Sequence, residues 1–137
     1  MDIRVSLQLI LSSSDPRFSE RFYQDFFSHY PDVEKWFAGV DLRRQGIVLA
    51  IALQSMVEHH LHHHVVTKHY LRLLGNRHHR LGIPVSDYQK FETSLLTTLG
   101  EFHAERWDED LAKRWRSACT EATQLMREGH ADDFQVP

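Results

Sequence analysis

Two adjacent histidines stand where the chain could hold a metal ligand rigidly. His78 and His79 close an apolar segment and lie just before the turn-forming residues Gly82 and Pro84. An imidazole fixed at a helix end beside an apolar pocket is what a haem iron needs as its protein ligand. A pair of surface histidines that interact with a helix C-terminus would give the same pattern. This segment alone leaves both interpretations open.

A second histidine-rich segment, Glu58 to His64, contains five histidines. His59 and His63 are four residues apart, as are His60 and His64, and such pairs can chelate zinc or nickel from one face of a helix. A solvated helix end followed by a loop has the same composition. We favour the solvated helix end and keep a metal site as the alternative.

The elements that must position these groups are helices, because apolar residues recur at helical spacing and never in sustained alternation. Ser14, Asp15 and Pro16 form a helix start signal, and Pro31 must end the helix that follows. A short turn is expected over Asp32 to Phe37. The expected helices are Asp2 to about Ser12, Pro16 to just before Pro31, Asp41 to about His63, Val65 to His79, Ser86 to about Glu105 and Asp108 to about Gly129.

The inward faces of the first two helices follow from the same spacing. In the first helix we expect Val5 and Leu9 to face the core, together with Leu7 and Ile10. The second helix places four phenylalanines along one face and its flank: Phe18, Phe22, Phe26 and Phe27.

Composition predicts one folded domain and excludes some classes of function. The chain has 137 residues, 42% of them apolar, and a formal net charge of −3, which suits one core and offers no basic patch for nucleic acid or a membrane surface. No segment approaches the roughly 20 apolar residues of a membrane span, and the N-terminus does not resemble a signal peptide. Cys119 is the single cysteine, which favours a cytoplasmic location. We expect a domain over residues 1–130 and a polar tail or linker over residues 131–137.

Several short sequence motifs of this chain occur together in one known family. They are Phe22-Tyr23-x-x-Phe26-Phe27-x-x-x-Pro31, Trp36-Phe37, Asp41-x-x-x-Gln45-x-x-x-Leu49, Arg77-His78-x-x-Leu81-Gly82-Ile83 and Tyr88. In this order the chain resembles the bacterial globins over roughly residues 15 to 126, above all single-domain globins and the globin part of flavohaemoglobins. The resemblance implies an all-α globin fold, a three-over-three helical sandwich around haem b.

The resemblance assigns the residues on the iron-ligand side of the haem. His78 matches the proximal ligand, and His79 lies about 100° further round the helix, so the two cannot both face the iron. Ile83 would touch the porphyrin, and Phe37 would pack flat against the edge of the haem. Phe91 would also contact the haem.

On the opposite side, Tyr23 and Gln45 match the distal pair that faces a bound gas. A phenol O–H or an amide N–H stabilises the partial negative charge of oxygen bound to ferrous iron. Leu49 lies one turn beyond Gln45 and would form an apolar wall. A core tyrosine and a solvated glutamine are the alternative interpretations of these two residues.

Tyr88 matches a tyrosine that flavohaemoglobins place beside the proximal histidine, hydrogen-bonded to a glutamate late in the last helix. In this chain the aligned position falls near Asp132, beyond the expected helix end. Glu128 or Glu121 could replace the missing acid, but the spacing does not indicate either. The resemblance therefore does not extend to the electron-donating proximal chemistry of flavohaemoglobins. Arg77 could pair with a haem propionate, although a solvated position is equally consistent with its place in the helix.

Three functions are consistent with these expectations. The first is reversible binding of O2, and of CO and NO, at five-coordinate ferrous iron, in an oxygen carrier or scavenger or in the sensing domain of a larger signalling protein. The second is a nitric oxide dioxygenase served by a separate reductase. The third is a haem-free helical bundle. A homodimer, or a fused or partner signalling domain, would fit the first function.

Overall fold

The computed structural model describes residues 1–12 and 17–132, and within these ranges the chain forms helices and no strand. The α-helices are α1 (Ile3–Ser12), α2 (Arg17–His29), α3 (Leu42–His62), α4 (Val65–Arg80), α5 (Asp87–His103) and α6 (Glu109–Ala131). Two 3₁₀ helices span Pro31–Phe37 and Ala104–Arg106. The all-α prediction is confirmed. In the part of the chain so described, no helix combines the length and apolarity needed to cross a bilayer.

Two of the predicted helix starts are capped as the sequence indicates. The Asp41 carboxylate accepts a hydrogen bond from the backbone N–H of Arg43 at 3.0 Å, and Asp108 accepts one from the N–H of Leu111 at 2.8 Å. Each bond satisfies an N–H group that has no partner within its helix. The start signal at Ser14 to Pro16 lies outside the described residues.

The inward face of α1 differs from the expected one. Ile3, Ser6, Leu7 and Ile10 are buried, whereas Val5 is 42% exposed and Leu9 is only partly buried. The expectation for Leu7 and Ile10 is thus confirmed, and that for Val5 and Leu9 was wrong. Buried polar contacts of Ser6 explain the difference. Its hydroxyl lies 2.6 Å from His103 Nε2 and accepts a hydrogen bond from Trp115 Nε1 at 3.0 Å. These buried contacts set the rotation of α1 about its axis.

The most extensive helix contact joins α4 to α6. Two glycines make the approach possible, since a Cβ atom on Gly75 would overlap the Met126 carbonyl and one on Gly129 would overlap the Arg72 carbonyl. Backbone therefore packs directly on backbone, and α6 fixes the position of α4. This matters for function because α4 carries His78.

The C-terminal end of α6 lies later than expected. The helix continues to Ala131 rather than ending near Gly129. Asn76 Nδ2 donates to the carbonyls of Gly129 and Asp132 at 3.0 and 2.8 Å, and Arg72 donates two hydrogen bonds to the Asp132 carboxylate at 3.0 and 2.8 Å. These bonds from α4 hold the Gly129 carbonyl and the C-cap residue Asp132, so the glycine does not end the helix.

The core lies between helices that cross in pairs, with α2 on α5 and α3 on α6 in addition to α4 on α6. Trp115 of α6 and Leu53 of α3 are fully buried at its centre. Three of the four phenylalanines of α2 are buried as expected, and Phe27 is partly buried against the same core. The rings of Phe22 and Phe26 line the cavity described next.

Candidate functional site

A cavity of about 880 Å³, including the space at its mouth, lies between α2, α3, α4 and α5. The cavity brings together eight residues singled out from the sequence: Tyr23, Phe37, Gln45, Leu49, His78, Ile83, Tyr88 and Phe91. Arg77 is exposed and does not line the cavity, so its pairing with a propionate stays a prediction.

His78 reaches the cavity from the last turn of α4, and it is the only histidine among the described lining residues. Burial lowers the pKa of His78 to about 4, with further contributions from the neighbouring His130 and Arg77. The imidazole is therefore neutral at physiological pH, which is the form that binds metals. His79, the next residue, is exposed and does not line the cavity, in agreement with its expected orientation.

Tyr88 lies directly beside His78, with its hydroxyl 3.4 Å from the Nδ1 atom of the imidazole. The partner of the Tyr88 hydroxyl is not an acid. It is His130, whose Nε2 atom lies 2.6 Å from the hydroxyl oxygen. Because burial raises the pKa of Tyr88 well above its usual value, the phenol stays protonated, and its O–H can donate a hydrogen bond to His130 Nε2.

The three acids considered as partners of Tyr88 have other surroundings. Glu121 lies 2.6 Å from His60 Nδ1, Glu128 is exposed, and Asp132 is bound by Arg72. The suggestion that Glu121 or Glu128 replaces the missing acid was therefore wrong. A sequence signal for His130 did exist, because it lies four residues after the buried Met126. The apparent helix end at Gly129 concealed it.

Tyr23 and Gln45 bring polar atoms to the α2 and α3 side of the cavity. Tyr23 is buried, and its hydroxyl lies 3.5 Å from the backbone carbonyl of Gln45. Burial raises the pKa of Tyr23 to about 12, and a hydrogen bond with the Gln45 side chain opposes the change. The phenol is thus a neutral O–H donor, and its contact with the Gln45 carbonyl is long for a hydrogen bond.

Aromatic rings line the wall next to Tyr23. The Phe37 ring packs edge-on against Tyr23 and is tilted against Phe27, with centroid distances of 5.4 and 5.2 Å. Phe91 of α5 packs edge-on against Phe22 at 5.3 Å. Leu49 is 4% exposed and closes the wall one helical turn beyond Gln45. The cavity is therefore mostly apolar, with a few polar groups.

The sequence model of the globin family matches residues 20–126 of this chain. This stretch contains the cavity-lining residues just described, from Tyr23 to Met126. The chain belongs to the globin family. A search of curated proteins found no significant match. The predicted globin fold is confirmed, and globins as a family typically bind haem and gas ligands.

The residues of the cavity fit the haem that globins bind. Its apolar walls suit a porphyrin, and one neutral imidazole with an engaged Nδ1 leaves Nε2 available to iron. No second histidine is among the described lining residues.

One polar group near the cavity was not found from the sequence. Trp36 Nε1 donates to the buried Asp87 carboxylate at 3.0 Å, and Lys90 contacts the same carboxylate at 3.0 Å. Lys90 also pairs with Asp32 at 2.6 Å. This network joins the first 3₁₀ helix to the start of α5, and Trp36 and Asp87 line the cavity.

The histidine segment Glu58 to His64 lies apart from the cavity, at the end of α3. His59 and His63 pack ring to ring at 4.9 Å, and His60 contacts Glu121 at 2.6 Å. In the ranges that the structure covers, no three His, Cys, Asp or Glu side chains are arranged to hold a metal ion. The geometry thus does not support the zinc or nickel alternative.

Proposed function

We propose that this globin binds haem b with His78 as the axial ligand and reversibly binds O2, as well as CO and NO, on the side of Tyr23 and Gln45. The observation that carries the proposal is a cavity whose described lining combines the His78 imidazole with the Tyr23 phenol and the Gln45 amide among mostly apolar side chains. When bound, the haem supplies a ferrous iron that takes diatomic gases reversibly.

The residues of the chain would divide the work between two faces of the haem. His78 holds the iron, and Tyr88 orients its imidazole through Nδ1. Tyr23 offers an O–H donor, and Gln45 an N–H donor, to a ligand that carries partial negative charge. Leu49 and Phe37 exclude water, which strengthens both hydrogen bonds.

The substitution His78→Ala tests the axial ligand. We expect it to abolish stable haem binding, or to weaken it by far more than the roughly tenfold that changes around a metal ligand cause. Haem titration of the purified protein, followed by the Soret absorption band, measures the effect.

His79→Ala is the matched control, since it removes an imidazole one residue away that does not line the cavity. This variant should bind haem like the wild type. Haem bound tightly by His78→Ala and lost in His79→Ala would overturn the assignment. Rapid consumption of NO in the presence of O2 and a reductant would instead assign the dioxygenase activity.

A further inference from the structure

The end of α6 reaches His78 through His130 and Tyr88. The Nε2 atom of His130 lies 2.6 Å from the Tyr88 hydroxyl, whose oxygen lies 3.4 Å from His78 Nδ1. The planes of the Tyr88 and His130 rings meet at 83°, with centroids 5.5 Å apart. Three side chains from α4, α5 and α6 thus form one continuous hydrogen-bonding series.

Only one arrangement of protons satisfies this series when Nε2 of His78 binds a metal. The neutral imidazole of His78 then carries its proton on Nδ1, and this N–H donates a hydrogen bond to the Tyr88 oxygen. Tyr88 has one O–H group, which must find a different acceptor. Nε2 of His130 is that acceptor, and the proton of His130 lies on its Nδ1 atom.

The backbone around His130 holds it in place. The preceding residue, Gly129, packs against the Arg72 carbonyl and accepts a hydrogen bond from Asn76 at 3.0 Å. Asp132 is bound by two hydrogen bonds from Arg72. All these bonds come from α4, the helix that also carries His78, so both ends of the series are fixed to one element.

We propose that His130 is a positioning residue for the axial ligand His78. By accepting a hydrogen bond from the Tyr88 hydroxyl, it sets the orientation and donor strength of the His78 imidazole. The inference rests on the proposed haem binding through His78. As a neutral acceptor, His130 polarises Tyr88 and His78 less than a carboxylate at this place would. The last helix thereby tunes the iron without touching it.

Resonance Raman spectroscopy of the ferrous, ligand-free holoprotein tests the inference through the iron–histidine stretching band. His130→Ala removes the acceptor and should shift this band to lower frequency. It should also speed haem transfer to an excess of a haem-scavenging protein by roughly tenfold. His130→Gln retains an acceptor oxygen at similar reach and should restore most of the wild-type band. Circular dichroism and thermal unfolding establish that each variant is folded.

A double-mutant cycle separates the relay from a general effect on packing. Tyr88→Phe breaks the series in the middle and should shift the band as His130→Ala does. Adding His130→Ala to Tyr88→Phe should then change nothing further. His79→Ala, which removes the ring 5.2 Å from His130, is the control and should leave the band unchanged.

The outcomes distinguish the inference from the proposed function. A wild-type protein that binds no haem overturns both. If the wild type binds haem and its iron–histidine band has the same frequency in His130→Ala, the role of His130 is overturned and the proposed function is not. Additive shifts in the double variant would also overturn it, because residues in one series must not act independently. If His130→Ala does not fold, the iron–histidine bands of His130→Gln and Tyr88→Phe test the inference.

Discussion

At the scale of single residues, the Tyr23 hydroxyl is the group whose effect on a gas ligand can be isolated. The Tyr23 ring packs against Phe22 and Phe37 at centroid distances of 5.0 and 5.4 Å, and Tyr23→Phe preserves those contacts. Only the O–H donor is lost, and one hydrogen bond to a charged acceptor contributes about 1–3 kcal/mol. We expect O2 to dissociate several-fold to about a hundredfold faster, as measured by stopped-flow displacement with CO.

The association rate of CO provides the control for that measurement, because CO carries little negative charge and should be almost insensitive to the missing donor. An O2 dissociation rate equal to that of the wild type would show that Tyr23 does not face the ligand. Tyr23 would then be a core residue whose hydroxyl contacts Gln45.

His103 gives a second residue-scale prediction, away from the haem cavity. It is buried against Ser6, with further contact to Trp107. Burial, and then the charge of Arg106, lowers the pKa of His103 below its ordinary value of 6.5. The unfolded chain therefore binds more protons than the folded chain below pH 6.5. The contribution of the buried, neutral His103 to the free energy of unfolding is fully present above pH 6.5. It is lost as the pH falls through the lowered pKa of the folded state.

The substitution His103→Gln checks this dependence. The variant should lose stability at pH 7 because it disturbs the contact with Ser6, yet its free energy of unfolding should vary less with pH below 6.5. Urea unfolding of the haem-free protein at several pH values measures both effects. His29→Gln, at an exposed histidine, serves as the control. Equal pH slopes in wild type and His103→Gln would contradict the assignment.

The residues of the candidate site differed in how far they could be predicted. Tyr23, Gln45 and His78 lie within local motifs whose spacing survives in the sequence, and the structure brings all three to one cavity. His130 and Asp87 could not be found in this way. Their partners Tyr88 and Trp36 lie 42 and 51 positions away in the chain, and only the packing of α6 and of the 3₁₀ helix brings them together.

At the scale of elements, the crossing of α4 and α6 determines where the axial ligand stands. Gly75→Ala would place a Cβ atom against the Met126 carbonyl, which is backbone and cannot move aside. The helices must separate, and we expect a loss of at least about 1–3 kcal/mol in the free energy of unfolding. Urea denaturation measures the loss, and weaker haem binding should accompany it.

Val66→Ala is the matched control in the same helix, because Val66 is 78% exposed. It should change stability by no more than about 0.5 kcal/mol. A Gly75→Ala variant as stable as Val66→Ala would mean that the two helices do not meet backbone to backbone.

Element boundaries were predicted well where a local signal fixes them. Asp41 and Asp108 cap their helices by bonds within three residues, so the sequence contains the whole cause. The end of α6 was missed because Asn76 and Arg72, on another helix, supply the bonds that extend it past Gly129. The rotation of α1 was missed for the same reason, since Trp115 holds Ser6 inward.

At the scale of the whole molecule, the cavity joins elements that otherwise meet only in part. Its lining comes from α2, α3, α4, α5, α6 and the first 3₁₀ helix. A ligand that fills it contacts both sides of the fold and is bound by the folded state alone. Such a ligand raises stability by RT ln(1 + [L]/Kd), about 4 kcal/mol when its concentration is a thousand times Kd.

The final prediction follows from this linkage. The haem-loaded protein should have a higher Tm than the haem-free protein, by several degrees for each kcal/mol gained in a chain of this size. The difference should shrink sharply in His78→Ala, because the bond from α4 to the iron is lost, and persist in His79→Ala. Differential scanning calorimetry of the loaded and haem-free forms measures it. Equal Tm values would mean that haem attaches to the surface, outside the cavity that the six elements enclose.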